Sequence, residues 1–330
     1  MESLPNKFRS KCFAEIVGQQ TIVSILSRQI QTNTFRQAYL FAGPPGTGKT
    51  SIARIMASTL NNNEGEPYEI DAASNNGVDS IRQLIVEAQQ TSIDSKYKIF
   101  ILDEAHMLTN AAWNAALKLI EEPPLNSIFI FCTTNPEKIP TTIMTRVQRF
   151  DFKRVSIKDI ADRLEYICNE ELVTDYDKNA LYKIASMSNG FVREAISLLE
   201  KCLGYSNIIS LVNVETVLGC IKFETLLDLT NNIISKNESR VIQIITELKN
   251  SNSSELKVVD ELLEFLIECA KYQKTNDIYV TKLLPDYKDK LKFDCDLTSI
   301  VDRVFKFRCL YNSINESTML DVIALDLCRR

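Results

Sequence analysis

The stretch Gly43-Pro44-Pro45-Gly46-Thr47-Gly48-Lys49-Thr50 decides how the rest of this chain is interpreted. It fits the pattern G-x-x-x-x-G-K-[ST], the P-loop, whose glycines let successive backbone N–H groups turn inward around an anion. Lys49 then contacts the β- and γ-phosphates, and the Thr50 hydroxyl is placed to ligate Mg²⁺. The motif, extended by Ser51, predicts a binding site for a nucleoside triphosphate.

The sequence on either side of this loop supports the interpretation. Ala38-Tyr39-Leu40-Phe41-Ala42 is a short apolar run typical of a buried strand, and residues 51–60 have the pattern of a helix. A strand, a glycine loop and a helix in this order are the context that the motif requires. The N-terminus of the helix adds a partial positive charge at the phosphate site.

Another buried strand, Lys98-Ile99-Phe100-Ile101-Leu102, ends in the acidic pair Asp103-Glu104. Such a pair downstream of a P-loop is typical of the Walker B motif, because the strand tips of an open α/β sheet face the ligand crevice. We expect Asp103 to hold Mg²⁺ and Glu104 to polarise the attacking water.

The predicted sheet is completed by a buried strand at residues 128–132 and by short strands at residues 68–71 and 149–152. Helices predicted at residues 78–90 and 111–121 make the connections crossovers, so the five strands should be parallel. Thr134 follows one of these strands, where a hydroxyl can orient water or sense the γ-phosphate. Arg146 lies near the end of a short helix predicted at residues 142–147.

Turn-forming residues are concentrated in the first part of the chain. All nine glycines lie between Gly18 and Gly219, and eight of nine prolines lie at or before Pro140. We therefore predict an α/β nucleotide-binding domain at residues 1–155, three helices at residues 156–218 and an all-helical domain at residues 219–330.

Charge and hydropathy limit the possible partners. The net charge is −5, with 16 Lys and Arg against 15 Asp and Glu in residues 1–155 and 22 against 28 in the rest. Without a large basic field, any contact with DNA must come from a few placed groups. Neither an apolar run of about 18 residues nor a signal-peptide core is present, so we expect a cytoplasmic protein with no membrane partner.

Cysteine and histidine do not indicate a metal centre. The nine cysteines form no C-x-x-C pair, which favours reduced and mostly buried thiols. His106, the single histidine, is expected to be structural. The string DEAH at residues 103–106 occurs in helicases, but those proteins have two RecA-like cores and this chain has one.

Taken in order, the motifs resemble the gamma/tau subunits of the bacterial DNA polymerase III clamp loader over about residues 4–205. Beyond the P-loop, the resemblance is carried by residues 71–79 (DAASNNGVD), 103–108 (DEAHML), 114–124 (NAALKLIEEPP), 133–136 (TTNP), 149–154 (RFDFKR) and 192–199 (VREAISLL). It implies an AAA+ fold with a five-stranded α/β module, a three-helix lid and a helical collar. It also implies a pentameric ring with other clamp-loader subunits, which uses ATP and Mg²⁺ to close a sliding clamp around primer–template DNA at the nucleoid.

The resemblance also implies roles for single residues at the nucleotide site. Thr134 matches sensor 1, and Arg193 matches the sensor 2 arginine of the lid, which contacts the γ-phosphate in its own subunit. Arg146 matches the arginine that reaches into the neighbouring subunit's site, which would make hydrolysis depend on assembly. Val17 and Gly18 fit the adenine pocket.

Two basic residues, Arg82 and Lys118, match positions that face DNA in the family. Ser74 and Asn75 lie nearby in the same string of residues. The resemblance implies DNA contacts at these four positions, although the residue types alone are equally compatible with solvated polar side chains.

The chain departs from the family pattern in several places. Residues 61–67 replace a module of four zinc-binding cysteines, so we predict no zinc. The family's Ser-Arg-Cys motif is Thr145-Arg146-Val147, and its N-terminal Tyr-Arg-x-x-Arg-Pro pattern has become PNKFRS at residues 5–10, which leaves details of the adenine pocket open. The sequence ends at Arg330, as expected of a compact form from a phage, acting in the host cytoplasm, or from a reduced genome.

Two other functions are compatible with parts of this pattern. An AAA+ ATPase of recombination or replication-fork rescue would share the P-loop and Walker B motifs, although the strings at residues 71–79 and 121–124 favour the clamp loader. A non-hydrolysing structural subunit of the same ring would be expected to lack some site residues. This chain keeps Lys49, Thr50, Asp103, Glu104, Thr134, Arg146 and Arg193. The sequence therefore favours an active ATPase motor subunit of a clamp loader.

Overall fold

A five-stranded sheet forms the centre of the N-terminal part of the chain. The computed structural model describes residues 2–90, 95–173, 175–250, 254–310 and 319–327. The strands are β1 (Ala38–Ala42), β2 (Tyr68–Asp71), β3 (Lys98–Asp103), β4 (Ser127–Thr133) and β5 (Gln148–Asp151). Their order is β2-β3-β4-β1-β5, and every neighbouring pair is parallel. The parallel five-stranded sheet is thus confirmed, and each predicted strand end lies within one residue of the observed one.

Six helices accompany these strands among the described residues up to position 150. They are α1 (Leu4–Lys7), α2 (Gln20–Gln31), α3 (Lys49–Leu60), α4 (Val78–Gln89), α5 (Asn110–Glu121) and α6 (Thr141–Met144), with short 3₁₀ turns at Phe13–Glu15, Ala105–Met107 and Pro136–Lys138. The prediction of a helix to residue 147 was wrong, so Arg146 lies beyond α6. Val147 is β-branched and favours extended backbone, and Gln148 pairs with Tyr39 as β5 begins.

The central strands β1, β3 and β4 are buried on both faces, as the strands of parallel sheets usually are. Along β1, Leu40 packs into one apolar cluster with Trp113 of α5, while Tyr39 and Phe41 pack into a second cluster with Met56 of α3. This alternation follows from the two-residue period of a strand. Because both faces are covered by helices, the edge at the strand tips remains as the place for a site.

The chain divides into two units. The first comprises Met1–Arg163 with Ser188–Ser197, and the second comprises Leu164–Met187 with Leu198–Arg330. The division into domains at residues 1–155, 156–218 and 219–330 stays a prediction.

Residues 156–218 contain one helix more than the three expected. The helices are α7 (Ile157–Glu170), α8 (Lys178–Met187), α9 (Val192–Tyr205) and α10 (Leu211–Leu218), and β6 (Asp175–Tyr176) pairs in parallel with β7 (Ile208–Ile209). The additional helix, α10, is only eight residues long. Local signals define it: the Ser210 hydroxyl accepts a hydrogen bond from the Asn213 N–H, and Gly219 ends the helix with a φ of 64°.

The described residues after Gly219 confirm the predicted helical C-terminal region. Its helices are α11 (Phe223–Ile234), α12 (Glu238–Asn250), α13 (Glu255–Thr275), α14 (Thr298–Cys309) and α15 (Met319–Leu327). Helix α13 packs against α14, and α12 packs against α11 and α15. None of the helices in the described part of the chain is both long enough and apolar enough to cross a membrane.

Candidate nucleotide-binding site

The strand order brings three polar segments to one edge of the sheet. Strand β4 lies between β3 and β1, and Thr133 pairs with Ala42 at the carboxyl ends of β4 and β1. The Gly43 N–H donates to the Thr133 carbonyl at 3.1 Å, which fixes the start of the P-loop beside the tip of β4. The P-loop, the acidic pair after β3 and Thr134 after β4 are therefore neighbours.

The P-loop backbone requires glycine for two different reasons. At Gly43, a β-carbon would lie 2.5 Å from the Phe152 carbonyl oxygen, so neighbouring backbone occupies the space of a side chain. Gly48 has a φ of 99° at the start of α3, in the left-handed region that other residues rarely adopt. The glycines thus allow a tight loop whose end directs the N-terminus of α3 at its concave side.

Lys49 is buried inside this loop. Its ammonium group donates to the carbonyl oxygens of Gly43 at 2.9 Å and Pro44 at 2.8 Å. Burial lowers the pKa of Lys49, while the negative charges of Glu104 and Asp103 oppose that shift. A cation is therefore held in the loop at the position where the motif requires one.

Two oxygen-bearing side chains meet between α3 and β3. The Thr50 hydroxyl donates to Asp103 Oδ2 at 2.8 Å, and the other Asp103 oxygen accepts the Glu104 N–H at 3.0 Å. A hydroxyl and a carboxylate at this distance provide the hard oxygen ligands that Mg²⁺ prefers.

Glu104 stands in an unusual backbone conformation, with a φ of 46° and a ψ of 42°. Its Oε2 atom accepts a hydrogen bond from the Thr134 hydroxyl at 2.9 Å and lies 3.3 Å from His106 Nδ1. The sequence predicted a structural role for His106, so its contact with the Glu104 carboxylate was missed. The sequence separation of two residues does not by itself predict this contact, because the contact depends on the turn at Ala105–Met107.

A cavity of about 210 Å³ opens beside these groups, within the first unit. From the predicted set it is lined by Pro45, Gly46, Thr47, Gly48, Lys49, Thr50, Ser51, Asp103, Glu104, Val17 and Arg193. The remaining nucleotide-site candidates lie behind this surface: Gly18 packs on Val155, Gly43 and Pro44 hold Lys49, and Thr134 holds Glu104. The structure therefore brings together residues that are up to 176 positions apart, from Val17 to Arg193.

Sequence reasoning missed several polar residues of this cavity region. Arg9 and Arg163 line the cavity, and burial, reinforced by the charges of Arg54 and Arg193, lowers the pKa of Arg9. Gln19 is 4% exposed, and its amide nitrogen donates to the Lys153 carbonyl at 2.7 Å. The residue types alone do not mark these positions, because Arg9 and Gln19 before β1 and Arg163 in α7 reach the cavity region only through long-range packing.

Arg146 does not line the cavity of its own chain. It is exposed, with Nε 2.6 Å from Glu121 Oε1 and Nη1 2.8 Å from the Thr142 carbonyl oxygen. A third contact, 3.1 Å long, joins Nη1 to the Thr145 hydroxyl. The guanidinium is therefore held at the end of α5, outside the lining of the chain's own cavity.

The four candidate DNA contacts lie on neighbouring elements of the first unit. Helices α4 and α5 pack against each other and carry Arg82 and Lys118, both exposed. Ser74 and Asn75 are exposed in the loop before α4 and hydrogen-bond to Asp71. Arg82 pairs with Asp79 at 3.0 Å. The structure thus groups these residues on one side of the sheet.

Comparisons with known proteins agree with this geometry. A family model described as DNA polymerase III, delta subunit, matches residues 69–156. DNA polymerase III subunit tau of Bacillus subtilis is 35% identical over 294 residues, which are 82% of this chain and 52% of that protein. The chain spans about half the length of several of the curated relatives it matches.

The fold also matches a solved structure. The Holliday junction branch migration motor RuvB of Thermotoga maritima superposes with a TM-score of 0.55, covering 68% of this chain and 79% of that one, at 19% identity. This likeness shows the fold alone and nothing about the reaction.

Some relatives are matched over most of their length. DNA polymerase III subunit gamma of Buchnera aphidicola subsp. Baizongia pistaciae is 31% identical over 308 residues, which are 86% of this chain and 80% of that protein. The string of site residues, the sheet order and this match lead to one assignment: the chain belongs to the DNA polymerase III gamma/tau subunit family.

Proposed function

We propose that this chain is an ATP-hydrolysing motor subunit of a DNA sliding-clamp loader. ATP binding and hydrolysis in the cavity would drive the opening of a ring-shaped clamp and its closure around primer–template DNA. The observation that carries the proposal is the joint placement of the P-loop, the Thr50–Asp103 pair and the Glu104–Thr134 pair at one edge of the sheet.

The donor set fits ATP with Mg²⁺. The glycine loop and the N-terminus of α3 provide backbone N–H groups for phosphate oxygens. Thr50 and Asp103, 2.8 Å apart, would hold Mg²⁺, which would neutralise negative charge on the phosphate oxygens. Lys49 would exchange the carbonyl oxygens of Gly43 and Pro44 for phosphate oxygens, which are stronger acceptors because they are charged.

Hydrolysis needs a water held in line with the γ-phosphate. Glu104 lines the cavity and would accept a hydrogen bond from that water, with Thr134 fixing one of its carboxylate oxygens. Arg193, also in the lining, would contact the γ-phosphate from the side of α9. These groups would position the attacking water and stabilise the negative charge on the γ-phosphate, and this is how phosphoryl transfer is catalysed in general.

Arg146 would complete the site of a neighbouring subunit in a pentameric ring. The support is its location: it is exposed and lies outside the cavity of its own chain. An arginine supplied in this way makes hydrolysis depend on assembly with the other loader subunits. Arg82, Lys118, Ser74 and Asn75 would contact the DNA backbone inside the ring, at the nucleoid.

Clamp loading itself tests the proposal. The assembled loader, with its other subunits, is mixed with the cognate clamp, primed circular DNA and ATP, and clamps retained on the DNA are counted after gel filtration. Wild-type protein should load clamps with ATP, and the Lys49→Ala variant should not. ATP-dependent remodelling of a DNA junction without any response to the clamp would favour the recombination or fork-rescue alternative.

A further inference from the structure

One oxygen of Glu104 receives two side-chain contacts. Oε2 accepts a hydrogen bond from the Thr134 hydroxyl at 2.9 Å, and His106 Nδ1 lies 3.3 Å from the same atom. Oε1 has no hydrogen-bond partner among the residues that the structure describes. The carboxylate is therefore held on one side and available on the other.

The contacts of His106 decide which of its nitrogens carries the proton. An ionised carboxylate only accepts hydrogen bonds, so the contact with Glu104 is favourable when Nδ1 is a donor. Nδ1 also lies 3.2 Å from the Thr133 hydroxyl oxygen, which accepts the Asn135 N–H at 3.1 Å. The Thr133 hydroxyl can accept as well as donate, so it is compatible with either tautomer, and the contact with the Glu104 carboxylate assigns the Nδ1–H tautomer to the neutral ring.

The surroundings of His106 keep the ring in place. Its side chain is 9% exposed, and it follows Ala105, which is fully buried in the turn Ala105–Met107. The Met107 N–H donates to the Glu104 carbonyl at 2.9 Å, so this turn begins at Glu104 itself. Ring and carboxylate are therefore parts of one short, hydrogen-bonded turn.

We propose that His106 is a positioning residue for Glu104 in the hydrolysis proposed above. Together with Thr134 it fixes Oε2, so that Oε1 remains for the attacking water. Since His106 is absent from the cavity lining, it acts through Glu104 and does not touch the nucleotide. The inference rests on the proposed function, and it adds a residue that the phosphate-binding motifs do not include.

Kinetics of matched variants test this role. His106→Phe keeps a planar ring and removes the donor, while His106→Asn retains a donor near the position of Nδ1. We expect His106→Phe to lower kcat by about 10-fold, the order for one hydrogen bond to a charged group, with KM for ATP unchanged. His106→Asn should recover most of kcat. In a Glu104→Gln background, His106→Phe should cause no further loss, because the group that it positions is already disabled.

The single histidine allows a test that needs no variant. A long-range ¹H–¹⁵N spectrum of the untagged protein near pH 8 should show the Nδ1–H tautomer. A ring protonated on Nε2 instead, a rise in KM, or an equal loss of kcat in the Glu104→Gln background would overturn the inference. If the wild type hydrolyses no ATP, the proposed function fails, and the role of His106 fails with it.

Discussion

The Glu121 carboxylate lies 2.6 Å from Nε of Arg146 and joins that arginine to the last residue of α5. The same helix carries Lys118 one turn earlier, on the exposed surface. A helix proposed to face DNA therefore also holds the arginine proposed to act in the neighbouring site.

Replacing Arg146 with alanine should abolish most stimulated hydrolysis. A loss of about 10³-fold or more is expected, because an arginine finger contributes about 10³–10⁵ in kcat. Binding of a fluorescent ATP analogue to the variant should be normal, since Arg146 is not in the cavity lining. Loss of nucleotide binding in this variant would contradict the assignment.

Mixing two inactive variants tests whether Arg146 acts between subunits. Rings assembled from Lys49→Ala and Arg146→Ala chains contain pairs in which an intact P-loop faces an intact arginine. Part of the hydrolysis rate should return on mixing. A mixture as inactive as either variant alone would place the action of Arg146 within its own chain.

Neutralising Glu121 should lower stimulated ATP hydrolysis much less than replacing Arg146 does. Its carboxylate and the Arg146 guanidinium are 47% and 41% exposed, and exposed pairs contribute at most about 1 kcal/mol. We therefore expect Glu121→Gln to lower stimulated hydrolysis by at most about 5-fold. A loss as large as that of Arg146→Ala would show that Glu121 acts on the reaction directly.

Replacing the P-loop glycine Gly43 with alanine should cost much more stability than the same replacement at a glycine with open space around it. Gly43→Ala would place a β-carbon 2.5 Å from the Phe152 carbonyl oxygen, so the free energy of unfolding should fall by about 1–3 kcal/mol. Gly204 lies exposed in α9 with no atom within 4 Å of a built β-carbon, and Gly204→Ala should be neutral or slightly stabilising. Thermal melts of the two variants compare these effects. Equal melting temperatures would be inconsistent with the tight approach at Gly43.

Thiol reactivity should follow burial. Cys12 and Cys309 are exposed, whereas burial raises the pKa of both Cys168 and Cys202 from 9.0 to about 11. A two-unit rise lowers the thiolate fraction at pH 8 about 100-fold, and the thiolate is the form that alkylates. Brief iodoacetamide treatment followed by peptide mass spectrometry should label Cys12 and Cys309 first.

The same shift has a consequence for stability at high pH. A group whose pKa is raised on folding contributes stability below its unfolded value, and that contribution is lost as the pH rises through the folded value. Unfolding should therefore become easier between about pH 9 and pH 11, as measured by denaturant titration. A midpoint that rises across this range would contradict the buried state of these thiols.

Lys118 should contribute to DNA binding through charge alone. Lys118→Ala should weaken binding of primed DNA regardless of the DNA sequence. It should also lower the slope of log binding constant against log salt concentration by an amount that corresponds to about one phosphate contact. Lys158→Ala, an exposed lysine of α7, serves as the matched control. Fluorescence anisotropy at several salt concentrations measures both slopes. Equal slopes for the two variants would remove Lys118 from the DNA contacts.

The sequence predicted those parts of the site that local patterns encode. The P-loop, the strand ending in Asp103-Glu104 and Thr134 at the end of β4 each carry a local signal, namely glycine spacing, an apolar run or a polar strand tip. The predicted crossover connections make the strands parallel, so their carboxyl ends were expected to meet at one edge of the sheet. The strand order itself was not predicted, because it depends on pairing between distant residues.

The parts that were missed depend on tertiary contacts. Arg9 and Arg163 reach the cavity from segments without a phosphate-binding pattern, and Gln19 bonds to a carbonyl 134 residues away. His106 was expected to be structural because a lone histidine usually is. Its role becomes visible only through the turn that returns its ring to Glu104.

ATP hydrolysis by the assembled loader tests the central claim most directly. The steady-state rate is measured with and without the cognate clamp and primed DNA, for the wild type and for Lys49→Ala. We expect clamp and primed DNA together to stimulate the wild type and the variant to lose that gain entirely, because Lys49 is the cation of the P-loop. A wild-type rate that is indifferent to the clamp, or a Lys49→Ala variant that keeps the stimulated rate, would contradict the account.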